Sequence, residues 1–216
     1  MREHPILFSA PMVRAILTDQ KWQTRRTRGL EFFSRPENDP DDWWCARVQD
    51  GVAYMAYKRA PHEREVKCPF GQPGDRLWVR ENHYLTDDGH NEYAVYAADE
   101  KSVLAHMTAL DALPRDFPAD TLAGHRKLRP SIHMPRWASR ITLEITGVHV
   151  ELLQSISNAD ALSEGVSAHP DHHDKPASSI YSPVQAFREL WESINGEGAW
   201  DANPWVWVVE FRRVEP

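Results

Sequence analysis

The spacing of apolar and polar residues changes several times along this chain, and each change predicts an element. Residues 5–9, Pro-Ile-Leu-Phe-Ser, read as a short strand. Ser9 and Pro11 then open a short helix with Met12, Ile16 and Leu17 along one face. Asp19-Gln20 ends it, and Lys21-Trp-Gln-Thr-Arg-Arg26 continues as an extended segment. Between the strand-forming residues of 48–57 sits Asp50-Gly51, a hairpin-turn dipeptide. Residues 76–81 alternate as a strand with Leu77 and Val79 on one face, and 93–97 form another. Residues 140–153 carry the clearest strand pattern, and 205–214 are apolar almost throughout, which predicts a central strand.

Helices punctuate the second half. Ser157 and Asp160 make a capping box before a short helix that stops at Gly165. Ser182-Pro183 starts a longer one, whose Val184, Phe187, Leu190, Trp191 and Ile194 trace an apolar stripe up to Asn195-Gly196. Residues 101–110 predict a further helix, and the prolines and charges that follow, up to 130, read as an excursion from the core. Residues 29–42 and 168–182 read as loops. The order is mixed, without βαβ alternation or internal repeats, so an α+β fold on a small curled sheet or barrel is expected.

The chain has 216 residues, enough for one large domain or two small ones. Cys45 and Cys68 make neither a disulfide framework nor a zinc-like spacing, so reduced thiols in a cytoplasmic protein are expected. No secretory leader and no membrane-length apolar run is visible, which predicts a soluble protein without a membrane partner. A net charge of −7 argues against wrapping a long nucleic acid, whose phosphates require a basic excess. Arg25-Arg26-Thr27-Arg28 is a local basic cluster suited to one phosphate or a short strand.

Several separated motifs carry a resemblance. The helix followed by Lys21-x-x-Thr24-x-Arg26, the Gly74-Asp75-x-Leu77-x-Val79 strand, the Ala161-Leu-Ser-Glu164-Gly165 helix end and the closing strand resemble, in that order, the ASCH domain of the PUA-like superfamily. Gly74-Asp-Arg-Leu-Trp-Val-Arg-Glu81, His133-Met-Pro-Arg-Trp-Ala-Ser-Arg140 and Asn203-Pro-Trp-Val-Trp207 extend the likeness to ASCH proteins of phages and prophages over nearly the full length. The resemblance implies a small mixed or antiparallel β-barrel with short flanking helices, forming one domain over 1–216 with additions near 28–67, 98–132 and 167–182. It also implies an amidohydrolase acting on N4-acylated cytidine without metal or cofactor, with Lys21, Thr24 and Glu164 as the catalytic set. A non-catalytic module for single-stranded RNA and a ribonuclease are the alternatives within the same family.

The residue types suit that chemistry. A threonine hydroxyl attacks only when a neighbour takes its proton. A lysine becomes such a base when burial or a nearby cation, here Arg25 or Arg26, lowers its pKa. Glu164 would orient Lys21, position water or pass a proton to the leaving nitrogen. In an extended segment, however, positions 21 and 24 face opposite sides unless the backbone is irregular. Arg26, Arg80 and Glu81 supply donors and an acceptor for a base edge, and Trp22 and Trp78 supply stacking surfaces. Packing and a structural ion pair are the competing roles for these residues. The histidines of His169-Pro-Asp-His-His-Asp174 match no ordered zinc spacing and read as a polar loop.

Overall fold

The computed structural model describes residues 1–34, 42–59, 61–87, 90–114, 118–166 and 182–214. In chain order the strands are β1 (Glu3–Leu7), β2 (Gln23–Arg26), β3 (Trp43–Gln49), β4 (Val52–Tyr57), β5 (His62–Lys67), β6 (Arg76–Arg80), β7 (His83–Asp87), β8 (Glu92–Tyr96), β9 (Thr142–Leu152) and β10 (Trp205–Val214). The helices are α1 (Ala10–Leu17), α2 (Glu100–Asp111), α3 (Ala119–Arg126), α4 (Asn158–Ser163) and α5 (Pro183–Asn195).

A strand that is apolar on both faces must be covered on both, and β10 organises the molecule for that reason. It lies between β9 and β2 in a five-stranded sheet of order β1-β6-β9-β10-β2, in which only the β1–β6 pair is parallel. Val206 and Val208 face a core made with Leu153, Ala161, Phe187, Trp191 and Trp200, which seats α4 and α5. Trp207, Val209 and Phe211 face the larger core of Ile6, Phe8, Val13, Ile16, Leu77 and Val79, which seats α1. β2 is therefore an edge strand with a helix-covered surface on each side.

The mixed α+β class follows the sequence pattern. The caps do as well: Ser157 and Asp160 form the capping box of α4, and Gly165 closes it at φ +83°. Asp50 and Gly51 both take positive φ, the geometry a two-residue hairpin loop favours, between β3 and β4. Three elements lie outside the pattern reading. β5 is exposed along nearly its whole length and α3 buries no residue, so neither carries an apolar stripe to announce it. β7 pairs with β8 in a separate two-stranded ladder.

The segment expected as an addition near 28–67 is integrated into the core. It contributes Leu30, Phe33, Trp43 and Met55, and the Phe33 and Trp43 rings meet edge-on at 4.9 Å. No ladder among the described residues closes β1 onto β2. The two edges meet instead through Arg26, whose Nη2 donates to the Leu7 carbonyl at 2.9 Å while the guanidinium lies 5.3 Å from the Phe8 ring. His169, His172 and His173 fall outside the described residues. No described helix is long and apolar enough to cross a membrane.

Candidate active site

The site begins where α1 ends. Asp19 adopts φ +56°, and the amides of Gln20 and Lys21 both donate to the Ala15 carbonyl, at 2.8 and 3.1 Å. This tight reversal starts the next segment one step short of β2. There Lys21 makes an isolated antiparallel bridge with Glu164, and the Trp22 amide donates to the Ser163 carbonyl at 3.0 Å. The C-terminus of α4 is thus stitched to the start of the extended segment. Gly165 allows the approach: a Cβ there would stand 2.8 Å from the Ala15 Cβ and 3.0 Å from the Lys21 Cβ. At φ +83° the position also disfavours any side chain.

Residues 143 positions apart in sequence are brought into contact by this junction. Lys21 Nζ donates to Glu164 Oε2 and to the Glu164 carbonyl, each at 2.7 Å. Arg25 Nη1 donates to the other carboxylate oxygen, Oε1, at 3.1 Å. The Lys21 side chain is 0% exposed and that of Glu164 2%. Arg25 is held in turn by Glu151, whose Oε1 accepts from Nε at 2.9 Å and Nη2 at 2.7 Å. Gln23 Nε2 donates to the Asp160 carbonyl at 2.7 Å.

Burial pushes the Lys21 ammonium below its ordinary pKa, since a charge loses its hydration there. The Glu164 carboxylate opposes that shift, Arg26 and Arg25 reinforce it, and the net direction is downward. For Glu151, burial acts upward but the His149 and Arg25 contacts outweigh it, so its carboxyl lies below the usual range.

Strand alternation divides the candidate residues. Lys21, Gln23 and Arg25 donate to residues of α4 and its C-cap, whereas Thr24 and Arg26 alternate with them along the strand; the Arg26 guanidinium nevertheless returns to the Phe8 ring that Lys21 Nζ also approaches, at 5.3 and 5.6 Å. Thr24 is 1% exposed, and its Oγ1 has no hydrogen-bond partner among the described residues. The structure therefore unites Lys21 with Glu164 and leaves the Thr24 hydroxyl unbonded to either.

Glu164, Arg25 and Arg26 line a cleft of about 420 Å³ with Met12, Phe187 and Trp191. The Trp191 indole N–H has no partner among the described residues. A wider cleft of about 1230 Å³ adjoins it, sharing Met12, Arg26, Ile194 and Asn195 as walls.

The remaining candidates stand apart from this pair of clefts. Trp22, half exposed, borders a groove with Asp19, Arg212 and Arg213 on the outer side of Lys21. Trp78 lies beneath two guanidinium groups, Arg80 at 5.2 Å and Arg136 at 5.9 Å. Arg80 donates to the Ile132 carbonyl. Glu81 is buried and accepts both nitrogens of a fork from Arg140, at 2.9 and 3.0 Å, so the two neighbours do not pair with each other.

The sequence reading missed Glu151 as the anchor of Arg25 and took Phe187 and Trp191 only as a core stripe. The parity of β2 was the available signal. Once Arg25 shares a side with Lys21, the facing strand positions require an acid. Among the described residues no group of three or more His, Cys, Asp or Glu side chains is disposed to hold a metal ion. Comparison of the chain with protein-family models, curated proteins and solved structures yields no match.

Proposed function

We propose that this protein is an amidohydrolase of the ASCH type that cleaves the N4-acyl amide of a modified cytosine nucleoside. The observation that carries the reading is the buried Lys21–Glu164 pair, joined at 2.7 Å and reaching a cleft through Glu164. Breaking such a pair leaves a buried charge uncompensated, so a fold concerned with stability alone gains little from it over apolar packing. A lysine with a lowered pKa is instead suited to proton transfer.

In this mechanism neutral Lys21 takes a proton from water as the water oxygen attacks the acyl carbon. The tetrahedral intermediate collapses, the C–N4 bond breaks, and the lysine proton passes by way of the Glu164 carboxylate to the departing nitrogen. Cytidine and a carboxylic acid are released. Arg25 holds Glu164 in place. Thr24 belongs to the proposed set but lines neither cleft, and its hydroxyl has no partner among the described residues; the Trp191 N–H, likewise without a partner among them, is the donor offered to the pyrimidine carbonyl. The water version is preferred to attack by Thr24 because Lys21 Nζ bonds to Glu164 and the Thr24 hydroxyl bonds to neither. The small PUA-like barrel belongs to the same proposal, and what supports it is a five-stranded sheet whose edge strands β1 and β2 are bridged by Arg26.

The test is the ultraviolet spectrum of N4-acetylcytidine incubated with the protein and with Lys21→Met and Glu164→Gln. Conversion to cytidine by wild type is expected, with losses of about 10²–10⁴-fold in the variants, the range for removing a general acid–base. The pH profile adds a second readout. The rate should rise with pH through a midpoint below that of an ordinary lysine, about 10.4. Glu164→Gln should move the midpoint lower still, because it removes the charge that favours the ammonium. No conversion by folded wild-type protein, for acetyl or longer acyl groups, would sink the reading.

A further inference from the structure

Among the described residues the wider cleft is lined by two arginines and no carboxylate, in a chain whose net charge is −7. That local reversal of sign is paired with an uneven use of the two cations. Arg26 is committed: it donates to the Leu7 carbonyl at 2.9 Å and packs on Phe8. Arg28 lines the cleft, is exposed, and has no hydrogen bond or ion pair with any described residue. Ser9, on the same wall, occupies the N-cap position of α1 without bonding its side chain to the helix. Asn82 adds a further polar group, while Phe8 and Ile194 supply apolar surface.

We infer that the substrate is a nucleotide rather than a free nucleoside, its 5′-phosphate seated in the wider cleft against Arg28. This rests on the proposed hydrolytic reading, which places the acylated base in the narrower cleft beside Glu164. The two clefts share four wall residues, so one ligand can occupy both. A phosphate brings a charge near −2 and acceptor oxygens that a guanidinium fork matches in pairs. The Ser9 hydroxyl, not used by the helix, is an additional donor. A single phosphate fits this cleft better than a polymer does, since one arginine left unpaired among the described residues of the cleft, in a chain of net charge −7, cannot offset a run of phosphates.

The experiment compares N4-acetylcytidine with its 5′-monophosphate as substrates of the intact protein and of Arg28→Ala. In parallel, calorimetry measures binding of cytidine 5′-monophosphate against cytidine, which needs no turnover. The monophosphate is expected to lead in kcat/KM by about tenfold, the scale of a charge-assisted contact at a partly exposed site. That lead should shrink toward parity in Arg28→Ala and with added salt. Equal kcat/KM and equal binding for the two ligands would overturn the phosphate subsite and leave hydrolysis standing. Tighter, Arg28-dependent binding of the monophosphate without any hydrolysis would keep the subsite and defeat the hydrolytic reading. No binding of either ligand overturns it. So does an oligoribonucleotide that binds more tightly than the monophosphate with a steep salt slope, which would assign the cleft to a strand.

Discussion

Thr24 places a hydroxyl in the interior without a partner among the described residues, a condition that costs about 1–3 kcal/mol relative to a satisfied group. Thr24→Val retains the branched shape and removes the unsatisfied atom. The expected result is a urea midpoint equal to or above wild type, by up to about 1 kcal/mol, together with a fall in N4-acetylcytidine hydrolysis. Stability and activity moving in opposite directions would mark the hydroxyl as kept for function. A variant that is stable and fully active would remove Thr24 from the catalytic set. At this scale Lys21, Thr24 and Glu164 came from the resemblance as a proposed set, and strand parity already warned that positions 21 and 24 diverge. Nothing in the sequence signalled that Glu81 would be taken by Arg140, because a bidentate pair between residues 59 apart is decided only when the chain is folded.

Gly165 decides how α4 meets the rest of the molecule. It terminates the helix in a left-handed conformation and lets the Glu164 backbone lie against Lys21 and Ala15. Gly165→Ala adds a Cβ that meets atoms at 2.8 and 3.0 Å and strains the backbone as well. A loss of at least about 2 kcal/mol is expected in denaturant unfolding, from left-handed strain and overpacking together. Activity should fall further than stability predicts, because the displaced atoms belong to the Lys21–Glu164 junction. A variant with wild-type stability would show that α4 can retreat without cost. The helix itself was legible, since its capping box and closing glycine are local signals. The docking of its end against α1 was not, because it depends on the size of a gap between two elements.

Charge sets the response of the whole molecule to pH. For Asp75 and Asp160, burial acts upward, but hydrogen bonds from backbone amides and from Ser157 and Gln23, with nearby cations, hold both carboxyls below their ordinary values. Glu151 is depressed in the same sense. Groups lowered in this way contribute stability above the unfolded pKa of about 4, and that contribution is lost as pH falls through the folded value. His83 acts earlier. Its buried ring donates through Nδ1 to the Glu81 carbonyl, with Nε2 unpartnered among the described residues; burial first, then Arg129 and Arg80, lower its pKa against the opposing pull of Glu81. The unfolded chain therefore takes up a proton below about pH 6.5 before the folded one does, and stability declines from there downward. Thermal melts should show Tm falling gently between pH 7 and 5, then steeply below about 4. A Tm flat from pH 7 to 5 would contradict the His83 contribution.

What the sequence determined by itself is local. The period of apolar residues, the capping boxes and the Asp50-Gly51 turn specify most strands and helices, since each depends on neighbours a few residues away. The continuous apolar run of 205–214 required a strand covered on both faces, and β10 is that strand. The α+β class follows from the order of those elements. Tertiary structure decided the sites. It packed Leu30, Phe33, Trp43 and Met55 of the 28–67 segment into the core, and separated Trp78, Arg80 and Glu81 from the cleft. It also joined Lys21 to Glu164 across 143 positions. Burial, cleft shape and ion-pair choice arise from contacts between distant segments, and the energy of those contacts exists only once the packing brings them together.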